Sequence, residues 1–193
     1  MPTDTGSGAH PRKTGEDRLP GDPSPEQIVE RIIRVDQAGE YGALRVYEGQ
    51  LAVLGDKAGA KVIRKMAAKE EEHLAVFDRL MVERRVRPTL LSPLWHVAGY
   101  ALGAATALLG KNAAMACTQA VEEVIDEHYA RQAAKLGEDE AKLRETIEEF
   151  RRDELAHRDA ALAHGALDAP AHGLLIAAIK AGSRLAIRLS ARI

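Results

Sequence analysis

Two short motifs in the sequence place a glutamate and a histidine three residues apart. Glu70 and His73 form one Glu-x-x-His pair, and Glu154 and His157 form the other. Because residues at i and i+3 share a face of an α-helix, each pair presents a carboxylate beside an imidazole. A charged helix produces one such pair by chance, so the doubling of the motif is what indicates a metal site.

A lone glutamate precedes each motif in a matching context. Glu40 and Glu122 each end a Gln-Ala-x-Glu sequence, and each is followed seven residues later by a tyrosine, Tyr47 or Tyr129. The sequence therefore repeats one set of residues: a lone glutamate, a tyrosine seven residues later and a Glu-x-x-His pair. Four unrelated charges on a helical bundle are the alternative interpretation, and the repeated spacing argues against it.

Turn signals lie midway between each lone glutamate and its motif. The first is Gly55-Asp56, and the second is the stretch 137–139. If each half folds into a helical hairpin about its turn, the lone glutamate lies level with its Glu-x-x-His pair. The predicted convergence at mid-height comprises six residues: Glu40, Glu70, His73, Glu122, Glu154 and His157.

The composition predicts an all-α protein. A chain of 193 residues suits one domain, and aromatic residues make up only 4% of it, with no run of alternating β-branched residues. The net charge of −2 argues against a nucleic-acid partner. Cys117 is the only cysteine, which excludes an internal disulfide and fits a reducing compartment.

The N-terminal segment, residues 1–24, is polar and contains no apolar signal-peptide core, so we predict a disordered tail without a secretory signal. Residues 25–193 are predicted to form a single helical domain. Ser24, Pro25 and Gln27 form a capping-box pattern with proline at the first helical position, which predicts a sharp helix start.

Residues 88–110 contain no charged side chain, and this length could cross a bilayer. Pro93 and His96 interrupt the run, and a single span would place the two halves of the metal site on opposite sides of the membrane. We therefore predict a crossover helix, either buried or lying in the membrane interface with Trp95 and Tyr100 as anchors.

The segment after Pro170 is predicted to be an amphipathic C-terminal helix. Its basic residues recur every four positions and form a stripe without acids: Lys180, Arg184, Arg188 and Arg192. A helix lying on anionic lipid and a helix that caps the bundle both fit this pattern.

Four carboxylates and two imidazoles from four helices match the carboxylate-bridged di-iron site of ferritin-like four-helix bundles. Four negative charges neutralise two divalent cations, and the lack of thiolates argues against iron–sulfur or structural zinc sites. Glu123, Glu127 and His128 are competing candidates, but the repeat selects Glu122 and leaves His128 for an outer position or the surface.

Five stretches also resemble the demethoxyubiquinone hydroxylases, the di-iron monooxygenases of ubiquinone biosynthesis. They are residues 31–43, 86–89, 93–95, 107–111 and 114–118. The likeness extends from about Ile28 to the C-terminus, and the ligand motif of that family falls on the same six residues.

The resemblance implies hydroxylation of a polyprenyl benzoquinone ring by two iron ions, with NADH as electron donor. Tyr129 is then a candidate for a proton or electron path, as is Tyr47, although core packing is the alternative for both. It further implies a peripheral enzyme at the membrane surface, with a lipid-binding accessory protein as partner. We expect the cytoplasmic face of the bacterial inner membrane, and homo-oligomers are compatible with the sequence.

Two other functions of di-iron proteins are alternatives to quinone hydroxylation. An iron-oxidising or iron-storing ferritin-like protein predicts a polar exterior, which the uncharged run 88–110 contradicts. A peroxide-reducing protein of the rubrerythrin kind usually carries a cysteine-ligated iron domain, which one cysteine cannot build. A membrane-docking helical protein without metal is a third alternative, and metal analysis would distinguish it.

Overall fold

The computed structural model describes Leu19 and residues 21–193, which contain helices and no β-strand. The α-helices are α1 (Pro25–Leu54), α2 (Ala60–Arg84), α3 (Ser92–Leu108), α4 (Lys111–Ala133), α5 (Ala141–Ala163) and α6 (His172–Ser190). The predicted all-α class is confirmed. Most of the predicted disordered tail, residues 1–24, lies outside the described residues, and the single-domain organisation stays a prediction.

The capping box predicted at the start of α1 is present. The backbone N–H of Gln27 donates to Ser24 Oγ at 3.1 Å, and the backbone N–H of Ser24 donates to Gln27 Oε1 at 2.8 Å. Pro25 occupies the first turn, where its missing N–H leaves no helical hydrogen bond unmade. The cap therefore fixes the start of α1, the helix that carries Glu40.

Both predicted hairpins are present. Residues 55–59 join α1 to α2, with Gly55 at φ 56° and Gly59 at φ 94°, values that glycine adopts without steric cost. Because this turn continues to Gly59, α2 begins at Ala60 rather than near Lys57. Residues 134–140 join α4 to α5 and include the 3₁₀ turn Glu138–Glu140.

The four long helices form the predicted bundle. Within it α1 packs against α2 and α4, while α5 packs against α4 and α2. The crossover helix α3 lies along α1 and also contacts α4, and α6 packs on α4 and α1. The core is continuous between the hairpins, because buried residues such as Phe77, Val121 and Ile147 belong to one apolar cluster.

The crossover helix lies directly against the backbone of α1. A Cβ atom added at Gly103 would overlap the carbonyl oxygen of Val46, and one added at Gly49 would overlap that of Tyr100. The opposite side of α3 exposes apolar residues, including Val97 and Leu108 at 64% and 75%. No helix within residues 21–193 has the length and hydropathy needed to cross a membrane.

The basic stripe of α6 is partly used inside the bundle. Lys180 forms an ion pair with Glu123, and Arg184 forms one with Glu127 at 3.1 Å, both across to α4. The indole of Trp95 on α3 donates to Ser190 Oγ at 2.9 Å. These contacts correspond to the bundle-capping interpretation of α6 and leave Arg188 and Arg192 outside the ion pairs with α4.

Candidate metal centre

The bundle brings all six predicted ligands together at its centre. Each of the four long helices contributes at its middle: α1 and α4 one glutamate each, and α2 and α5 one Glu-x-x-His pair each. The exposed fractions of Glu40, Glu70, His73, Glu122, Glu154 and His157 are 0%, 0%, 0%, 1%, 0% and 8%. Charged side chains are rarely buried this completely unless they are paired or bind a metal.

The six side chains form two overlapping groups. Within each group, one ligand atom from every residue lies within 4.8 Å of the others. We call the first group the His73 site; it consists of Glu40, Glu70, His73 and Glu154. The second, the His157 site, consists of Glu70, Glu122, Glu154 and His157. Glu70 and Glu154 belong to both groups, so their carboxylates are placed to bridge two ions.

Both imidazoles direct Nδ1 into the cluster. His73 Nδ1 lies 3.3 Å from Glu154 Oε1 and 3.6 Å from Glu40 Oε2. His157 Nδ1 lies 3.0 Å from Glu70 Oε1 and 3.5 Å from Glu154 Oε2. His73 therefore lies close to the shared Glu154 and to Glu40, and His157 lies close to both shared glutamates, Glu70 and Glu154.

The hydrogen bonding of the cluster fits divalent metal ions. Among its buried polar atoms without a hydrogen-bond partner are both carboxylate oxygens of Glu70 and of Glu154, one oxygen each of Glu40 and Glu122, and Nδ1 of both histidines. A buried polar atom without a partner costs about 1–3 kcal/mol. Metal ions would satisfy all of these atoms at once, and oxygen donors with imidazole suit iron and manganese.

The electrostatics of the cluster also favour cations. Burial raises the pKa of the Glu70, Glu122 and Glu154 carboxyls, and neighbouring carboxylates add to the rise. Burial opposes the charge of His73 as well, but the adjacent Glu154 and Glu40 outweigh it and raise its pKa to about 10. The site therefore attracts positive charge strongly.

Two buried tyrosines connect the repeats across the cluster. Tyr129 on α4 donates a hydrogen bond to Glu40 on α1, and Tyr47 on α1 donates one to Glu122 on α4. Each tyrosine thus binds the lone glutamate of the opposite hairpin. Burial raises the pKa of both phenols well above the ordinary value, so both are protonated donors at neutral pH.

An apolar pocket of about 540 Å³ lies beside the cluster, between α1, α3, α4 and α6. Its wall is formed mainly by small and aliphatic residues, such as Gly39, Leu102 and Ala186. The polar side chains on the wall include Asp36, His128 and Tyr129. Tyr129 therefore connects the pocket directly with Glu40 of the cluster.

The model of one protein family, ubiquinone biosynthesis protein COQ7, matches residues 27–190 of this chain. The chain belongs to the COQ7 family. It is 62% identical over 183 residues to a 3-demethoxyubiquinol 3-hydroxylase of Rhodospirillum rubrum, covering 94% of this chain and 86% of that protein. The family resemblance seen in the sequence is therefore confirmed.

Eukaryotic relatives are similar over most of their length too. The chain is 54% identical over 169 residues to the human NADPH-dependent 3-demethoxyubiquinone 3-hydroxylase, mitochondrial, covering 86% of this chain and 78% of the human protein. It is 40% identical over 183 residues to the 5-demethoxyubiquinone hydroxylase, mitochondrial, of Saccharomyces cerevisiae, covering 86% of this chain and 78% of the yeast protein.

The competing candidates on α4 of this COQ7-family chain lie outside the cluster. Glu123 and Glu127 pair with basic residues of α6. His128 occupies an outer position, with Nε2 at 3.5 Å from Asp36 Oδ1. The repeat alignment thus chose the glutamate that faces inward, Glu122.

Sequence reasoning missed two groups of residues around this COQ7-family cluster. Asp153 accepts a hydrogen bond from His73 Nε2 at 3.1 Å, and its position directly before Glu154 was the available signal. Asp36 is 2% exposed and accepts a hydrogen bond from Gln132 at 2.6 Å. No sequence pattern paired Asp36 with Gln132, because they lie 96 residues apart on different helices.

Proposed function

We propose that this protein hydroxylates the ring of a demethoxy polyprenyl benzoquinone in ubiquinone biosynthesis, as a monooxygenase with two iron ions. The observation that carries the proposal is the contact of Tyr129 with both the apolar pocket and Glu40 of the cluster. It joins a site for an apolar substrate to a site for metal. The hydroxylase names of the relatives support the same reaction.

In this proposal the six cluster residues hold the iron ions. Glu40 and His73 would hold one ion, Glu122 and His157 would hold the other, and Glu70 and Glu154 would be shared between them, as the overlap of the two groups suggests. When bound, the ions supply the redox chemistry by which one oxygen atom of dioxygen enters the ring and the other leaves as water. The four carboxylates would supply the negative charge that keeps such ions bound.

The pocket binds the quinone. Its aliphatic wall suits a polyprenyl tail, since burial of apolar surface contributes roughly 25 cal/mol per Å². The ring lies at the polar part of the wall, where Asp36, His128 and Tyr129 supply the hydrogen-bonding groups. Asp36 Oδ2 is buried there without a hydrogen-bond partner, which favours a polar ring group at that place.

Tyr129 holds a proton between ring and cluster. Its phenol donates to Glu40, and burial keeps the phenol protonated because its pKa is raised well above the ordinary value. A protonated donor beside a carboxylate can transfer its proton and recover it without a change in the position of either helix. This is the role that we assign to Tyr129.

Electrons come from a reduced nicotinamide in this scheme. The family resemblance implies NADH, whereas the names of several relatives, including the human protein, specify NADPH for those proteins. Oxidation of each nucleotide by the iron-loaded protein, followed at 340 nm with quinone present, distinguishes the two donors.

The enzyme meets its substrate at a membrane surface, we further infer. The outward side of α3 exposes Leu94, Val97 and Leu108, and exposed apolar patches of this kind mark interaction sites. A peripheral position on the cytoplasmic face of the bacterial inner membrane would bring the pocket near a membrane-dissolved quinone. A lipid-binding accessory protein of the pathway and a second copy of the chain are the other partners that we propose.

The test is conversion of a short-tailed demethoxyubiquinone by iron-reconstituted protein, with the product measured by chromatography and mass spectrometry. The wild type should form the ring-hydroxylated product with a mass gain of one oxygen atom, labelled when ¹⁸O₂ is used. Glu154→Ala should form none, while the exposed neighbour variant Glu149→Gln retains full turnover. Iron oxidation without any quinone product would favour the iron-oxidising ferritin-like function instead.

A further inference from the structure

The two histidines of the cluster have different partners on their outer nitrogens. His73 Nε2 lies 3.1 Å from Asp153 Oδ2, and its ring stacks on Phe150 with centroids 3.9 Å apart. Within residues 21–193, the ion pairs of His157 run from Nδ1 to Glu70 and Glu154, and no carboxylate lies within ion-pair distance of its Nε2. Both Nδ1 atoms face the cluster. A metal-bound His73 would therefore carry its proton on Nε2 and donate a hydrogen bond from Nε2–H to Asp153.

The internal repeat shows where this difference originates. Asp153 directly precedes Glu154, and Lys69 holds the same position before Glu70. A lysine ammonium donates hydrogen bonds but accepts none, so Lys69 cannot receive the N–H of an imidazole. Lys69 instead forms ion pairs with Glu72 at 3.0 Å and with Asp153 at 3.5 Å. Only one half of the repeat therefore supplies a carboxylate for a histidine.

A carboxylate on the outer nitrogen strengthens a metal-bound histidine. The hydrogen bond fixes the ring orientation and tautomer and raises the basicity of the ligating nitrogen, and its loss typically lowers metal affinity about 10–100-fold. His73 is also the more buried histidine, with 0% exposed against 8% for His157. Both differences act in the same direction, toward tighter binding at the His73 site.

We propose that Asp153 makes the two metal sites unequal, so that the His73 site fills first and the His157 site fills second and exchanges its ion faster. Asp153 is a positioning residue that acts through His73 and touches no metal itself. This inference rests on the proposed function, since it requires that the cluster bind two ions.

Titration of the metal-free protein with Mn²⁺, with free Mn²⁺ measured by electron paramagnetic resonance, tests the inference. The wild type should bind two ions in two steps whose affinities differ at least about tenfold. Asp153→Asn should weaken binding at the His73 site about 10–100-fold, so that the two steps converge or the His157 site fills first. Glu149→Gln removes a charge from the exposed side of the same helix and should leave both steps unchanged.

Histidine variants show whether Asp153 acts through His73. His73→Ala should bind one ion, at the His157 site, and addition of Asp153→Asn should change that affinity only slightly, because Asp153 acts on His157 only through space. In a His157→Ala background, Asp153→Asn should retain its full effect. Loss of all binding in His73→Ala, or an equal effect of Asp153→Asn in both backgrounds, would overturn the inference. Thermal unfolding of each metal-free variant confirms folding, and Asp153, at 31% exposed, tolerates substitution.

Failure of the inference differs from failure of the metal centre. Two equal binding steps in the wild type, or a wild-type profile in Asp153→Asn, would overturn the role of Asp153 and leave the centre intact. No bound Mn²⁺ or Fe²⁺ in the wild type would overturn the metal centre itself.

Discussion

Tyr129 on α4 donates a hydrogen bond to Glu40 on α1, and the same tyrosine lies on the wall of the apolar pocket. Tyr47 makes the mirror-image contact with Glu122 but is not among the residues that line this pocket. The internal repeat therefore supplies two equivalent tyrosines, and the pocket distinguishes between them. Helix α6 and the crossover α3, which have no counterparts in the repeat, create this asymmetry.

The matched variants Tyr129→Phe and Tyr47→Phe show how much the position of Tyr129 on the pocket wall contributes to kcat. Tyr129→Phe should lower kcat about 10²-fold, the lower range for loss of a positioned proton donor, while Tyr47→Phe causes a much smaller loss. Both variants should retain the wild-type metal content, because neither phenol is a ligand. Equal losses of kcat in the two variants would show that the hydrogen bond to a lone glutamate matters and the pocket side does not.

Shared and unshared carboxylates should respond differently to truncation. Glu70 and Glu154 belong to both groups of the cluster, whereas Glu40 belongs to the His73 group only. We expect Glu70→Ala to bind fewer than one ion per chain and Glu40→Ala to retain about one, as measured by plasma mass spectrometry. Glu71→Gln, on the exposed side of α2, is the matched control and should bind two. A retained pair of ions in Glu70→Ala would contradict the bridging geometry.

The convergence of the six cluster residues could be predicted because the helical period and the turn positions decide it. Glu-x-x-His spacing fixes which side chains share a face, and the turns at 55–59 and 134–140 set the level at which the helices meet. Glu122 could be preferred over Glu123 because the repeat provides an internal reference. These features depend on residues close together in the sequence, and packing of the helices into a bundle does not change them.

Contacts that depend on the rotation of one helix against another could not be predicted. The hydrogen bond from His73 to Asp153 joins α2 to α5, and the ion pair of Lys180 with Glu123 joins α6 to α4. The sequence shows the basic residues of α6 but not the acids that they meet. The close contact of α3 with α1 at Gly103 likewise depends on how the crossover is placed.

Metal binding should stabilise the fold. Substitution of the shared carboxylate Glu70 by neutral glutamine should weaken metal binding and yet stabilise the metal-free protein. At free metal a hundred times the Kd, each bound ion contributes about 2.7 kcal/mol, or roughly 5–10 °C in Tm for a chain of this size. Burial raises the pKa of Glu70, so its ionised form at pH 7 opposes folding of the metal-free protein. We therefore expect metal-free Glu70→Gln to unfold at a higher temperature than metal-free wild type.

Differential scanning fluorimetry with and without Fe²⁺ under anaerobic conditions measures both effects. The wild type should show the full rise in Tm, and Glu70→Gln should show a small one or none. A lower Tm for metal-free Glu70→Gln than for metal-free wild type would show that Glu70 stabilises the fold without metal. Glu71→Gln again provides the control for loss of a charge on α2.

Obstruction of the pocket should impair use of long-tailed quinones more than use of short-tailed ones. Ala186 lies half-buried on the pocket wall in α6, and Ala181 is exposed on the same helix outside the wall. Ala186→Phe places a ring in a cavity of about 540 Å³, so we expect kcat/KM for a long-tailed substrate to fall about tenfold. The metal content should be unchanged, because the cluster lies behind Tyr129.

Comparison of two substrates with different tails identifies the part of the quinone that the pocket binds. In Ala186→Phe, kcat/KM for a substrate with one isoprenoid unit should fall less than kcat/KM for a substrate with many. Ala181→Phe adds the same ring outside the wall and should leave both values near those of the wild type. Equal losses for both substrates would place the ring of the quinone, rather than its tail, next to Ala186.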